Sequence, residues 1–246
     1  MTTQNTSQSY NDWHQEVHGS ESLDVLQLAP WHRATLELLP EIKNKKVLEV
    51  GCGAGDFSIY LSKQMAEVTG VDFSSRAIEI ASAKAKTHKA SAQFKVADAQ
   101  KLPFENNHFD VVVSCECLEH VPTPSEMLQE LHRVLKPGGI LVLTTENYSN
   151  AMILLWLKNW ITKTPFNSGA GVQPIEHFFV YWKIRQLLKN VGFSILKQTG
   201  THHVFMILPR LHPHTFVKEE FKNSLLSQIF RPIARHMAFK ATKPLR

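Results

Sequence analysis

The stretch Val47-Leu48-Glu49-Val50-Gly51-Cys52-Gly53-Ala54-Gly55 constrains this chain more than any other, because an apolar strand runs straight into three alternating glycines. Glycine tolerates positive φ and has no Cβ, so this spacing predicts a tight strand-to-helix turn whose backbone can touch a ligand. A dinucleotide fingerprint would read G-x-G-x-x-G and keep the helix N-terminus for a pyrophosphate. Asp56 stands where that last glycine would be, and a carboxylate beside a pyrophosphate is repulsive. With Glu49 just ahead of the glycines, the turn suits a ligand without phosphate.

A second apolar run, Glu67-Val68-Thr69-Gly70-Val71, ends in Asp72. A carboxylate at a strand tip there can accept both ribose hydroxyls of an adenosine. The third predicted strand, Ala92 to Val96, leads into Ala97-Asp98-Ala99-Gln100-Lys101-Leu102-Pro103-Phe104. A fourth strand spans Phe109 to Ser114. A helix with Leu128, Leu131 and Val134 at helical spacing follows, then the turn Lys136-Pro137-Gly138-Gly139 and a fifth strand from Ile140 to Thr145.

In that order, over residues 46–146, these motifs resemble those of the class I S-adenosylmethionine (SAM) methyltransferases, of the type 11 kind. The resemblance implies SAM as cofactor, held by Glu49, Gly51, Cys52, Gly53, Gly55, Asp72, Phe73, Asp98, Ala99 and Cys115. Asp98 would receive the adenine amino group, with the Ala99 backbone nearby. Family members commonly close an N-terminal helix over the cofactor, which makes Arg33 a candidate partner for the SAM carboxylate and Trp31 a candidate apolar cover.

Strands alternating with helical patterns argue for an α/β fold with a doubly wound sheet. The expected form is Rossmann-like: seven strands, mostly parallel, an antiparallel last strand, a helical lid and terminal helices. Residues 1–40 are expected to form a helical cap and 41–210 the methyltransferase domain, with a lid insertion at about 148–175. Within it, Asn150 to Thr162 is apolar on nearly every side, which suits burial or contact with something greasy. The last strands are expected at Phe193–Gln198 and Val204–Leu208.

The formal net charge is +5, and much of the excess lies in residues 211–246, read as a basic amphipathic helical tail. Such a tail docks on its own domain or contacts an anionic membrane surface. Cys52, Cys115 and Cys117 have no credible disulfide partner, and no C-x-x-C pair exists. A polar N-terminus with no apolar signal core, and no run of eighteen apolar residues, point to a cytoplasmic protein.

Beyond the fourth strand the chain reads Ser114-Cys115-Glu116-Cys117-Leu118-Glu119-His120-Val121-Pro122. If this is a helical turn, Glu116, Glu119 and His120 share one face. Two carboxylates and an imidazole there repel unless a divalent cation joins them, with Mg²⁺ ahead of Mn²⁺ and Zn²⁺. Glu-x-x-Glu-His is similar to the metal-binding segment of the ubiquinone-pathway O-methyltransferases and of the small-RNA 3′-terminal 2′-O-methyltransferases. In the second group a further histidine follows strand five, which nominates His177 as fourth ligand. The alternative is metal-free chemistry, in which His120 or His177 acts as general base beside Glu119.

These readings converge on an O-methyltransferase of a small aromatic or lipophilic acceptor. Methylation of an RNA 3′ end is the first alternative, although no strongly basic appendage favours nucleic acid. A SAM-binding partner protein without turnover is the second.

Overall fold

The computed structural model describes residues 3–18, 22–147, 175, 177–201, 234 and 236–245. The lid insertion expected at 148–175, Ile175 apart, and the strand expected at Val204–Leu208 lie outside them, as does most of the expected tail.

Two helices, α1 (Thr3–His18) and α2 (Pro30–Leu38), precede β1 (Lys46–Val50), α3 (Asp56–Ser62), β2 (Glu67–Asp72), α4 (Ser75–Thr87) and β3 (Gln93–Val96). Then come β4 (Phe109–Cys115), a 3₁₀ turn at Leu118–His120, α5 (Pro124–Val134) and β5 (Leu135–Glu146). The last elements are α6 (Tyr181–Val191), β6 (Ser194–Thr201) and β7 (His236–Thr242). The sheet has seven strands in the order β3-β2-β1-β4-β5-β7-β6. Five are parallel, and β7 runs antiparallel to both β5 and β6.

Val47, Leu48, Val112, Val113, Leu141 and Leu143 are essentially inaccessible, as expected of strands covered on both faces. One face packs on α5 and α6 through Leu128, Leu131, Ile184, Leu188 and Phe239. The other packs on α2 and α3 through Phe57, Leu61, Val47, Val111 and Trp31. Because β1 and β4 are neighbours while β2 and β5 lie on opposite sides of them, the order reverses between β1 and β4, and a crevice opens beyond their carboxyl ends.

The last strand is a correction. Residues 236–242 were expected in the helical tail, yet His236-Met237-Ala238-Phe239-Lys240-Ala241-Thr242 lies between β5 and β6, with Leu143 opposite Phe239 and Glu146 opposite His236. Long-range pairing decides this, since among the described residues β6 pairs with no other strand. Two tail lysines are absorbed accordingly. Lys240 sits within the strand, and Lys243 Nζ donates to the carbonyls of His132 and Leu135 and to Asn107.

Asp56 also has a definite structural partner. It opens α3 directly after Gly55, whose φ is 82°. Its carboxylate takes both a 2.9 Å bond from the fully buried Lys84 Nζ and a 2.9 Å bond from the Gln27 N–H. Removing one partner of a buried ion pair costs about 3–5 kcal/mol, because the other charge is stranded. Lys84→Met should therefore lose about that much stability in urea denaturation, whereas exposed Lys43→Met should change it by less than about 0.5 kcal/mol.

Candidate active site

At the end of β1 three residues in five take positive φ: Gly51 at 77°, Gly53 at 50° and Gly55 at 82°. The turn is pinned to β2, with Gly51 N and Cys52 N both donating to Val71 O at 2.9 and 3.0 Å. A Cβ on Gly51 would lie 2.6 Å from the Cys117 side chain, and one on Gly55 equally close to Ala81 Cβ. Gly55 thus serves helix packing and does not reach the cavity wall, whereas Gly51 and Gly53 line it.

The cavity above this turn measures about 840 Å³. Glu49, Cys52, Asp72, Phe73, Asp98, Ala99 and Cys115 all border it, so the structure brings together nearly the whole predicted cofactor set. Asp72 Oδ2 accepts from Gly53 N and Oδ1 from Ser74 N, each at 2.9 Å. A carboxylate has about four acceptor directions, so capacity remains for ligand hydroxyls. Asp98 Oδ1 accepts from Gln100 N at 2.8 Å. These features fit an adenosine-bearing cofactor. Arg33 does not belong: it is exposed and absent from the wall, because α2 turns Trp31 and His32 inward instead.

Helix α1 covers the crevice. Tyr10 donates to the His120 carbonyl at 3.0 Å, Asn11 accepts from Ser74 Oγ, and His14 is buried with Nε2 3.9 Å from Asp72. With Trp13, Trp31 and His32, Tyr10 and His14 make an aromatic wall. His32 stacks on Phe57 at 4.5 Å and accepts the Ala29 N–H on Nδ1. Burial pulls its pKa down to about 4, so the ring is neutral near pH 7.

The predicted metal quartet does not assemble. His177 Nε2 faces the Val121 carbonyl at 2.9 Å and is not on the cavity wall. His120 does line the cavity, but its Nδ1 meets the Ile175 carbonyl. Glu119 is 2% exposed and accepts from Thr145 through Oε2. Glu116, at a strained φ of 47° where β4 ends, turns to His236, whose Nδ1 lies 3.0 Å from Oε2. Among the described residues, the metal-capable cluster joins Glu116 to Glu146 and His236. Sequence reasoning missed the last two, although Glu146 follows directly on a predicted strand.

Burial, and then the charge of Glu116, push the Glu119 carboxyl well above its usual range. Burial pushes the Glu116 carboxyl up, but the charge and hydrogen bond of His236, with hydrogen bonds from Thr144 and Glu119, together hold it below its ordinary value. No Lys or Arg borders the cavity among the described residues, although eight acids do.

A methyltransferase domain family model matches residues 48–143. A ubiquinone biosynthesis O-methyltransferase of Coxiella burnetii is 31% identical over 168 residues, covering 66% of this chain and 69% of that protein. The chain belongs to the class I SAM-dependent methyltransferases. It is similar also to the chloroplastic tocopherol O-methyltransferase of Arabidopsis thaliana, 45% identical over 115 residues, which are 45% of this chain and 32% of that one. A demethylmenaquinone methyltransferase of Staphylococcus aureus is 39% identical over 115 residues, covering 46% and 47%. In fold it matches a SAM-dependent methyltransferase of Thermotoga maritima with TM-score 0.68 and 20% identity, covering 97% of this chain and 99% of the other. The methyltransferase is therefore an enzyme that uses SAM, and none of its described helices is long and apolar enough to cross a membrane.

Glu49 yields a pH prediction. Burial pushes its carboxyl up to about 8 from an ordinary 4.5, against a hydrogen bond from Ser58. Between those values the unfolded chain has lost this proton and the folded chain keeps it. The contribution to stability thus falls as pH rises from 4.5 to 8. Glu49→Gln should remove that slope, so its urea midpoint should gain on the parent's between about pH 5 and about pH 8.

Proposed function

We propose that this methyltransferase O-methylates a small, lipophilic, phenol-bearing aromatic acceptor. The observation that carries the reading is the cavity wall, which is aromatic on the α1–α2 side and carries no Lys or Arg among the described residues. A flat apolar ring finds stacking partners in Trp13, Trp31 and the Trp31–His236 pair, whose centroids lie 5.5 Å apart. A carboxylate or phosphate on the acceptor would meet acids and imidazoles but no Lys or Arg among the described residues. The relatives named for ubiquinone, tocopherol and demethylmenaquinone chemistry support the same acceptor class. Methylation of an RNA 3′ end loses support for the same reason, since nothing described on the wall neutralises phosphates.

In this reading Asp72 holds the ribose hydroxyls and Asp98 the adenine edge. Bound SAM supplies an electrophilic methyl on a sulfonium, and the acid-rich wall favours that positive charge. The protein's remaining task is to orient the acceptor oxygen and take its proton, so much of the catalysis is positioning. His120 is the proposed proton acceptor. Its Nδ1 faces the Ile175 carbonyl at 2.9 Å, which fixes the proton on that nitrogen and makes Nε2 basic. His177 leaves the role because its ring is turned to Val121.

Two measurements test the reading. Asp72→Ala should weaken SAM binding by roughly 10- to 100-fold in calorimetry, the worth of hydrogen bonds to a charged acceptor. Parent affinity in that variant would remove Asp72 from the ribose site. Mass spectrometry after incubation with SAM should show methylated catechols or prenylated hydroquinols. Product on duplex RNA ends alone would overturn the acceptor class.

A further inference from the structure

Three chain segments far apart in sequence meet at one corner of the cavity: the end of β4, the end of β5 and the start of β7. They bring Glu116, Glu146 and His236 so close that one ligand atom from each lies within 4.8 Å of the others. We propose that these three side chains form a divalent-cation site, in place of the Glu-x-x-Glu-His set that the sequence suggests.

The geometry suits a small cation. Metal–ligand bonds of about 2.1 Å in octahedral coordination put adjacent ligand atoms about 3.0 Å apart and opposite ones about 4.2 Å apart. His236 Nδ1 and Glu116 Oε2 are 3.0 Å apart, the length of such an edge, so a cation replaces the proton between them without moving either side chain far. The donor set of two carboxylates and one imidazole matches Mn²⁺ or Zn²⁺ better than Ca²⁺, which takes six to eight oxygens.

An independent observation points the same way. Glu119 is 2% exposed, and among the described residues no N–H or hydroxyl donor reaches its Oε1. Its carboxyl lies within hydrogen-bond reach of the Glu116 carboxyl, so it sits against the cluster. Glu116 Oε1 is likewise buried, and the Thr144 hydroxyl and the Glu119 carboxyl lie beside the Glu116 carboxylate. Two carboxyl groups held against each other beside a third acid need a shared proton or a cation between them, and a divalent charge relieves the repulsion in the second case.

All four residues border the cavity. Resting on the phenol reading above, a cation there would coordinate the acceptor hydroxyl and lower its pKa, leaving His120 to receive the proton.

The test is direct binding of Mn²⁺ to the full chain, followed by electron paramagnetic resonance of the free ion. One site is expected in the parent. Glu146→Gln and His236→Gln should each weaken it by roughly tenfold or more, while His177→Gln should leave it unchanged. Circular dichroism and SAM titration on the same samples identify any variant that has simply misfolded, and Glu146→Gln stands if His236→Gln fails that control. Absence of a site in the parent, or equal loss in His177→Gln, overturns the proposal. Neither result touches the acceptor assignment, which the product assay decides separately.

Discussion

Everything at the cavity hangs on how the backbone leaves β1. Between Gly51 and Gly55 it takes positive φ three times, a path that side chains with a Cβ resist. That path lets two consecutive N–H groups converge on the Val71 carbonyl and a third reach Asp72. The turn is therefore fastened to β2 rather than merely following β1, and the cavity floor becomes one rigid piece. Its glycines are not interchangeable. Gly51 makes room for Cys117, Gly55 for Ala81 and Phe94, while Gly53 faces the cavity with only His14 near its missing Cβ.

Charge is distributed with similar economy. Among the described residues the wall holds acids and imidazoles but no Lys or Arg. Burial pushes the carboxyls of Glu49 and Glu119 well above their ordinary range, and Lys84 answers Asp56 from behind. The negative charge left facing the cavity is concentrated at Asp72 and Asp98 on one side and at the Glu116–Glu146–His236 corner on the other. Such a field favours a sulfonium and, by the same physics, a divalent cation. It disfavours anionic acceptors.

Much of the fold and of the cofactor side was legible in advance, because both are written in local patterns. An apolar run before spaced glycines and an acid at a strand tip are each contiguous, and each landed where expected, whereas Lys-Pro-Gly-Gly, read as a turn, lies inside β5. Errors arose where a residue's role depends on something distant. Arg33 had a plausible chemistry but lies on the outer side of α2. His177 follows the fifth strand as anticipated, yet its backbone N–H bonds the Glu119 carbonyl and its ring is turned to Val121. The last strand was hidden because its alternation is carried by alanines and a lysine within a basic stretch.

By itself, the sequence determined the parallel core, the glycine turn and the acids at 49, 72 and 98, because nearest-neighbour sterics and strand-end position are set by adjacent residues. Only the tertiary structure decided what completes the far wall of the cavity. Glu116 and His236 are 120 positions apart, and they meet because β7 threads antiparallel between β5 and β6 in one particular register. A one-residue slip would turn His236 to the opposite face of the sheet. That register is fixed by burying Met237 and Phe239 against the α5–α6 layer, a packing choice that no short window of sequence contains.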